Sequence, residues 1–107
     1  MHNANVEILN RRVLETAAMK NPGLRIPIRR WVEIVAGAEW SSLDDVRKTF
    51  PSADGVPVGG GMVATVFNVG GNRYRIITAV FYEQQRVYIS EVLTHAEYDK
   101  DQWKRRL

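Results

Sequence analysis

Side chains suited to proton transfer and anion binding are concentrated between positions 73 and 100 of this 107-residue chain. Arg73 and Arg75 stand two residues apart, and His95 and Tyr98 follow in the segment THAEYDK. Histidine is the side-chain type that exchanges a proton near neutral pH, and tyrosine can join it in proton transfer. Arginine binds phosphate oxygens through a planar fork of N–H groups. These residue types fit acid–base chemistry at a phosphate.

Each of these residues also has a structural explanation, and the sequence alone leaves both open. A lone histidine at the end of a strand can simply terminate that strand, so His95 fits either role. Arg73 and Arg75 can protect a sheet from edge-to-edge association as readily as they can clamp a phosphate. The residues define a candidate site without deciding whether it is catalytic.

A metal site is the less favoured interpretation of the acidic cluster around His95. The cluster comprises His95, Glu97, Asp99 and Asp101. The other histidine, His2, lies in a terminal segment and is assigned no role, so no zinc set is complete, and the spacing matches no calcium loop. The chain also contains no cysteine and no dinucleotide or serine-hydrolase motif. We expect neither a metal nor a cofactor.

The composition predicts a single globular domain over residues 1–107. Hydrophobic residues make up 45% of the chain and charged residues 25%, which is ordinary for a globular protein. The lack of cysteine fits a reducing compartment, and no apolar stretch resembles a signal peptide or a membrane span. We expect a cytoplasmic protein without membrane contact. A net charge of +3 is a weak indication of a polyanionic partner.

Three β segments, at 62–69, 73–82 and 87–93, are predicted to position the candidate site. Gly70-Gly71 can supply the positive φ angles of a hairpin turn between the first two. Residues of the middle segment alternate between two faces. One face has Tyr74, Ile76, Thr78, Val80 and Tyr82, and the other has Arg73, Arg75, Ile77, Ala79 and Phe81. A polar turn at 83–86 precedes the last strand, which brings the His95 cluster back towards the arginines.

Helices are predicted to occupy most of the first half. A short strand at 6–9 precedes a helix capped by Asn10, a second helix begins near Pro27, and Ser41-Ser42 caps a third. The glycine run 59–61 indicates a flexible connection rather than a phosphate loop. The order of elements predicts an α+β fold, with two or three helices on one face of a small, mainly antiparallel sheet.

Two further groups of residues have alternative interpretations. Three arginines flank the apolar face of the second helix and form either a solvated rim or an RNA-backbone contact; these are Arg25, Arg29 and Arg30. Four aromatic residues are either base-stacking or core residues; these are Tyr74, Tyr82, Tyr88 and Trp103. For Tyr74 and Tyr82 we expect at least partial burial.

Four segments resemble the HigB toxins, which are RelE-like ribonuclease toxins of type II toxin–antitoxin pairs. They are FPSAD at 50–54, VFNVGGNRYRI at 66–76, VYISEV at 87–92 and THAEYDK at 94–100. The strong match covers 35 residues, 66–100. The resemblance implies a compact RelE-like α+β domain that cleaves mRNA on the translating ribosome and is inhibited by a HigA-type helix-turn-helix antitoxin.

The resemblance also implies roles for individual residues. Arg75 would bind and polarise the scissile phosphate, and His95 and Tyr98 would share proton transfer. RNA binding would involve Asn72, Arg73 and Lys100, and we assign Lys104 to RNA binding in addition. The alternative is a non-catalytic module that binds RNA or an antitoxin through the same surface, and a metal-dependent hydrolase is a more distant one.

One departure from the family pattern concerns the stretch 55–72. Relatives often have lysine or arginine between the FPSAD motif and the following strand, whereas this stretch is uncharged here. A phosphate contact is therefore either absent or supplied by Arg29, Arg30 or Lys104.

Overall fold

Residues 5–107, which the computed structural model describes, form strands and helices around one central sheet; His2 lies outside the described residues. The strands are β1 (Glu7–Leu9), β2 (Asp54–Pro57), β3 (Val63–Val69), β4 (Tyr74–Phe81) and β5 (Arg86–Thr94). The helices are α1 (Arg12–Lys20), α2 (Arg25–Ala36), α3 (Leu43–Thr49) and α4 (His95–Asp99), with short 3-10 turns at Pro22–Leu24, Gly59–Gly61 and Gln102–Arg106. Within this range no helix has the length and apolar character needed to cross a membrane.

The sheet is mainly antiparallel, as predicted, with one parallel pair at an edge. Its strand order is β1-β5-β4-β3-β2, and β2, β3, β4 and β5 pair antiparallel in sequence. β1 pairs parallel with the first part of β5. The three longer helices pack on one face of this sheet, which confirms the predicted α+β arrangement.

The main hydrophobic core lies between these helices and the sheet. The helices contribute Leu14, Ile28, Trp31, Val35 and Val46, and the sheet contributes Phe67, Val69, Ile76, Val87 and Ile89. Each fully buried side chain of this size stabilises the fold by about 1.5–3 kcal/mol relative to an exposed one. The helical stripes that were visible in the sequence therefore fix which face of the sheet is covered.

A second core lies on the opposite face of the sheet, and a β-bulge in β5 contributes to it. Ile77 pairs with Glu91 and Thr78 pairs with Ile89, so Ser90 has no partner on β4. Because one extra residue reverses the alternation of side chains, Leu93 joins the second face. This second core contains Ala64, Val66, Ile77, Leu93 and Trp103. Trp103 comes from the C-terminal 3-10 turn, which therefore packs across the sheet.

Three local features differ from the sequence-based expectations. Asn10 does not cap α1: it adopts a positive φ of 69° and its side-chain amide donates to the carbonyl of Ile89 at 2.8 Å. The glycine run, which was predicted as a flexible connection, forms a 3-10 turn, with Gly60 at a φ of 74°. The short strand β2 was not predicted, because three of the four residues of its sequence DGVP disfavour strands. The predicted cap of the third helix is confirmed, since Ser42 accepts a hydrogen bond from the Asp45 backbone.

Two buried tryptophans give a matched test of this packing. Trp31 is 2% exposed and its indole N–H has no partner among the described residues, whereas Trp103 is 0% exposed and donates to the carbonyl of Tyr98 at 3.0 Å. Both Trp→Phe substitutions remove the same atoms, but only Trp103→Phe breaks a hydrogen bond. We expect Trp103→Phe to lower the free energy of unfolding by about 1 kcal/mol more than Trp31→Phe. Urea unfolding measures both, and an equal or larger loss for Trp31→Phe would contradict this packing.

Candidate active site

Arg75 is a buried cation near the start of β4, with its side chain on the second face of the sheet. It is 8% exposed. Its Nη1 donates to the carbonyls of Asn72 at 2.9 Å and Tyr74 at 3.2 Å, which holds the guanidinium back against the hairpin turn. That turn is possible because Gly70, Gly71 and Asn72 all adopt positive φ. The sequence thus positions one arginine by the turn that precedes it.

The charge of Arg75 has no carboxylate partner within residues 5–107. No ion pair of the described chain includes it, and its Nε and Nη2 groups make no hydrogen bond there. No polar atom of Arg75 is both unpaired and sealed from solvent. A buried charge without a partner is unfavourable unless an anion can approach it. The free N–H edge of Arg75 is therefore suited to bind one.

Tyr98 and Trp103 cover Arg75 from the C-terminal segment. The Arg75 Cζ atom lies 5.5 Å from the centre of the Tyr98 ring, and that ring stacks on Trp103 at a centroid distance of 5.3 Å. The order Arg75, Tyr98, Trp103 is hereafter the Arg75 stack. Because Trp103 is fully buried within this stack, the interpretation of Trp103 as a base-stacking residue is wrong. Tyr74 and Tyr82 are partly buried, as expected.

A capping box sets the direction of the helix that carries Tyr98. The Thr94 hydroxyl accepts a hydrogen bond from the Glu97 backbone at 3.1 Å, and the Glu97 carboxylate accepts one from the Thr94 backbone at 2.9 Å. The two bonds satisfy two of the backbone donors at the start of α4. Since β5 ends at Thr94, they fix the angle at which α4 turns back over the sheet.

The Tyr98 hydroxyl holds its proton more tightly than an ordinary tyrosine. Burial raises the pKa of Tyr98 above its usual value of 10.0, and the negative charge of Asp54 raises it further, while Arg75 opposes both. Tyr98 is consequently protonated at neutral pH. It can donate a hydrogen bond or a proton there, but it cannot serve as the base.

His95 occupies the first turn of α4 and points its side chain into solvent. The side chain is 55% exposed, and its Nδ1 lies 3.1 Å from a carboxylate oxygen of Asp99. The His95 backbone N–H donates to the carbonyl of Arg73 at 2.8 Å. The contacts of the described chain thus join the imidazole to Asp99 and not to Arg75 or Tyr98. A carboxylate at Nδ1 orients the ring and leaves Nε2 available to a substrate.

The four predicted RNA-binding residues lie at the surface around the stack. Asn72 and Arg73 are exposed in the β3–β4 turn. The sequence predicted that Arg73 and Arg75 share one face of a strand, but Arg73 precedes the strand, so this prediction is wrong. Lys100 is exposed at the end of α4, and Lys104 pairs with Asp101 at 3.3 Å. Together they place cationic and polar groups at both ends of the stack.

The arginines of α2 lie on the helical layer, since α2 packs on the face of the sheet opposite the Arg75 stack. Arg25 and Arg29 line a groove between α1 and α2. That groove places Arg29 away from the second face, so it does not supply the phosphate contact there.

Two polar residues near the stack were not singled out from the sequence. Asn68 is the cross-strand partner of Arg75, and residues directly opposite each other share a face of the sheet. Asp54 lies on β2 opposite Val66, and it pairs with Arg47 at 3.2 Å. The alternation of Val56 and Val58 after Asp54 is the signal that would have indicated β2.

No group of three metal-ligating side chains occurs within residues 5–107.

Comparison with known families gives one match that covers most of the chain. Residues 25–101 match the family model HigB_toxin, described as the RelE-like toxic component of a toxin–antitoxin system. The matched range includes the whole of β4 and β5 and the helix that carries Tyr98.

Three curated relatives align over almost the whole chain. The chain is 33% identical over 94 residues to the mRNA interferase toxin HigB of Escherichia coli (strain K12), with 88% of each chain covered. The mRNA interferase HigB of Escherichia coli O157:H7 matches to the same extent. A third relative, the mRNA interferase HigB of Escherichia coli O6:H1 (strain CFT073), is 25% identical over 95 residues, with 89% of this chain and 90% of the relative covered.

The raised pKa of Tyr98 predicts a loss of stability in alkaline solution. Between the ordinary and the raised pKa the folded protein keeps the phenolic proton that the unfolded chain has released, so the free energy of unfolding falls as pH rises above about 10. Tyr98→Phe removes this contribution and should flatten the decline. Urea unfolding at pH values of about 8 and about 10.5 compares the two proteins. Parallel declines would show that Tyr98 titrates normally.

Proposed function

The chain belongs to the HigB family of RelE-like toxins, and we propose that it is the toxin of a toxin–antitoxin pair and an endoribonuclease that cleaves mRNA. The observation that carries this proposal is the unpaired, buried charge of Arg75 beneath Tyr98. A cation that is already desolvated interacts strongly with a phosphate, because water no longer screens the contact. The names of the relatives, mRNA interferase, support RNA as the source of that phosphate.

The proposed reaction is an internal transesterification of the RNA. The 2′-hydroxyl oxygen forms a bond to the adjacent phosphorus, and the bond from phosphorus to the 5′ oxygen breaks. A base takes the 2′ proton and an acid returns one to the leaving 5′ oxygen. The products are a 2′,3′-cyclic phosphate and a 5′-hydroxyl, so neither water nor a metal-bound nucleophile takes part in this step.

Arg75 stabilises the charge that develops on the phosphate oxygens. Its N–H edge is held in place by the Asn72 and Tyr74 carbonyls before the substrate arrives. Such a preorganised donor contributes about 10²–10³-fold to the rate. Asn68, opposite Arg75 on the same face, is placed to contact the same nucleotide.

Tyr98 and His95 divide the proton transfers. Tyr98 is protonated at neutral pH and gives its proton to the leaving oxygen. Its raised pKa makes it a weak acid. His95, oriented by Asp99, takes the 2′ proton through Nε2. Because these groups are weak or exposed, the reaction depends on a substrate that is held in position, which the translating ribosome provides. We therefore place the activity in the cytoplasm, on mRNA in the ribosome.

The partners follow from the same proposal. Asn72, Arg73, Lys100 and Lys104 contact the RNA backbone on either side of the cleaved bond. Phosphate contacts of this kind orient a nucleic acid without reading its sequence. A HigA-type helix-turn-helix antitoxin inhibits the toxin.

The activity is tested by primer extension on a defined mRNA in a reconstituted translation system, with and without ribosomes. New 5′ ends only in the translating reaction would establish a ribosome-dependent ribonuclease. Ends in both reactions would contradict the dependence on the ribosome. Folded protein that produces no ends would instead be a non-catalytic module that binds RNA or the antitoxin.

Substitutions separate the three proposed roles. Arg75→Lys retains the charge but loses the fork, and we expect cleavage to slow about 10²-fold. Tyr98→Phe and His95→Ala should each slow it about 10²-fold or more, because each removes a proton-transfer group. Arg29→Lys, on the helical layer, is the matched control and should cleave at the rate of the unmodified protein. Wild-type rates for all three site variants, in folded protein, would show that the site lies elsewhere.

A further inference from the structure

One edge of β5 is unpaired over part of its length. β1 pairs with β5 only at Arg86, Val87 and Tyr88, and the Asn10 side chain then donates to the Ile89 carbonyl. No other strand of the described chain pairs with this edge at residues 90–93, and the Thr94 N–H is occupied by Glu97. An unpaired edge presents backbone N–H and C=O groups to which another strand can bind.

Helix α1 runs alongside this edge and forms a groove with it. Asn10, just before α1, contacts Ile89, and Asn21, just after it, accepts a hydrogen bond from Tyr74, the partner of Thr94. The cavity between helix and edge has a volume of about 570 Å³. Its lining includes the partly buried Val13, Ala17 and Val92 and the exposed Arg12, Thr16 and Lys20.

The two walls of the groove have the same length. The four edge residues 90–93 extend over about 13 Å at the rise of a strand. The nine residues from Arg12 to Lys20 extend over about 13 Å at the rise of a helix. A groove of this length, bounded at both ends by side-chain hydrogen bonds, accommodates an extended segment of about four residues.

The free charge in the groove is positive. Arg12 and Lys20 make no ion pair within residues 5–107. Of the two carboxylates of the lining, Glu91 is paired with Arg106, whose Nε lies 3.1 and 3.0 Å from its oxygens. Glu97 accepts from the Thr94 backbone and keeps its charge, so within the described part of the chain two unpaired cations face one unpaired carboxylate. The complementary ligand therefore carries negative charge opposite the two ends of α1.

We propose that this groove binds an extended, acidic segment of the antitoxin as an additional strand beside β5. The proposal rests on the proposed function for the existence of that partner. A peptide fits better than RNA, because the groove offers unpaired backbone groups at strand spacing above an apolar floor. The groove ends at Thr94 and Glu97, so an added strand also contacts the capping box that positions α4 and Tyr98.

Hydrogen–deuterium exchange of the full chain tests the docking site. The probe is the antitoxin, defined as the protein whose co-expression suppresses the growth arrest that this chain causes. We expect its binding to slow exchange by about tenfold or more at those amides of residues 90–93 that point away from β4, because an added strand hydrogen-bonds only that side of β5. Unchanged exchange at residues 90–93 in the complex overturns the proposal. Protection of the same amides by an mRNA fragment alone also overturns it, since RNA would then be the ligand.

Charge reversal provides the matched control. Arg12→Glu with Lys20→Glu should weaken antitoxin binding by about tenfold or more. Arg25→Glu with Arg29→Glu makes the same change of net charge in the neighbouring groove and should leave affinity within about twofold. Equal losses in the two pairs contradict the proposed site. Cleavage of mRNA without antitoxin should be unchanged in both pairs, so loss of the proposed activity is measured separately from loss of docking.

Discussion

The packing of the second face of the sheet depends on the buried side chain of Trp103. Its indole ring fills the space above Ala64, Val66, Ile77 and Leu93, and its N–H is bonded to the Tyr98 carbonyl. A short 3-10 turn has little stability of its own, so this side chain is what fixes the C-terminal segment to the sheet. Tyr98, and through it the cover over Arg75, is positioned as a consequence.

The fold keeps the buried charge of Arg75 in a form that the proposed function can use. A desolvated guanidinium costs free energy that two backbone carbonyls and an aromatic ring offset only in part. A carboxylate beside it would stabilise the fold but would compete with a phosphate. Asp54, the acidic residue near Tyr98, is instead paired with Arg47, which leaves the free edge of Arg75 available for the proposed phosphate contact.

Local patterns in the sequence predicted the part of the site that depends on one hairpin. Alternation in β4 and the glycine turn before it place Arg75 correctly, and the sequence also predicted the Ser42 cap and the apolar stripes of the helices. The bulge at Ser90 was not predicted, because an extra residue between two strands leaves each strand locally regular. For Trp103 the sequence left a core role and a base-stacking role open, because its burial depends on a tertiary contact between the tail and the sheet that local patterns do not reveal.

The chemical nature of the new RNA ends tests the proposed mechanism most directly. Attack by the 2′-hydroxyl predicts a 5′-hydroxyl on the downstream fragment, which polynucleotide kinase labels without prior phosphatase treatment. It also predicts a 2′,3′-cyclic phosphate on the upstream fragment. A 5′-phosphate with a 3′-hydroxyl would mean that water is the nucleophile, and the roles assigned to Arg75, Tyr98 and His95 would then be wrong.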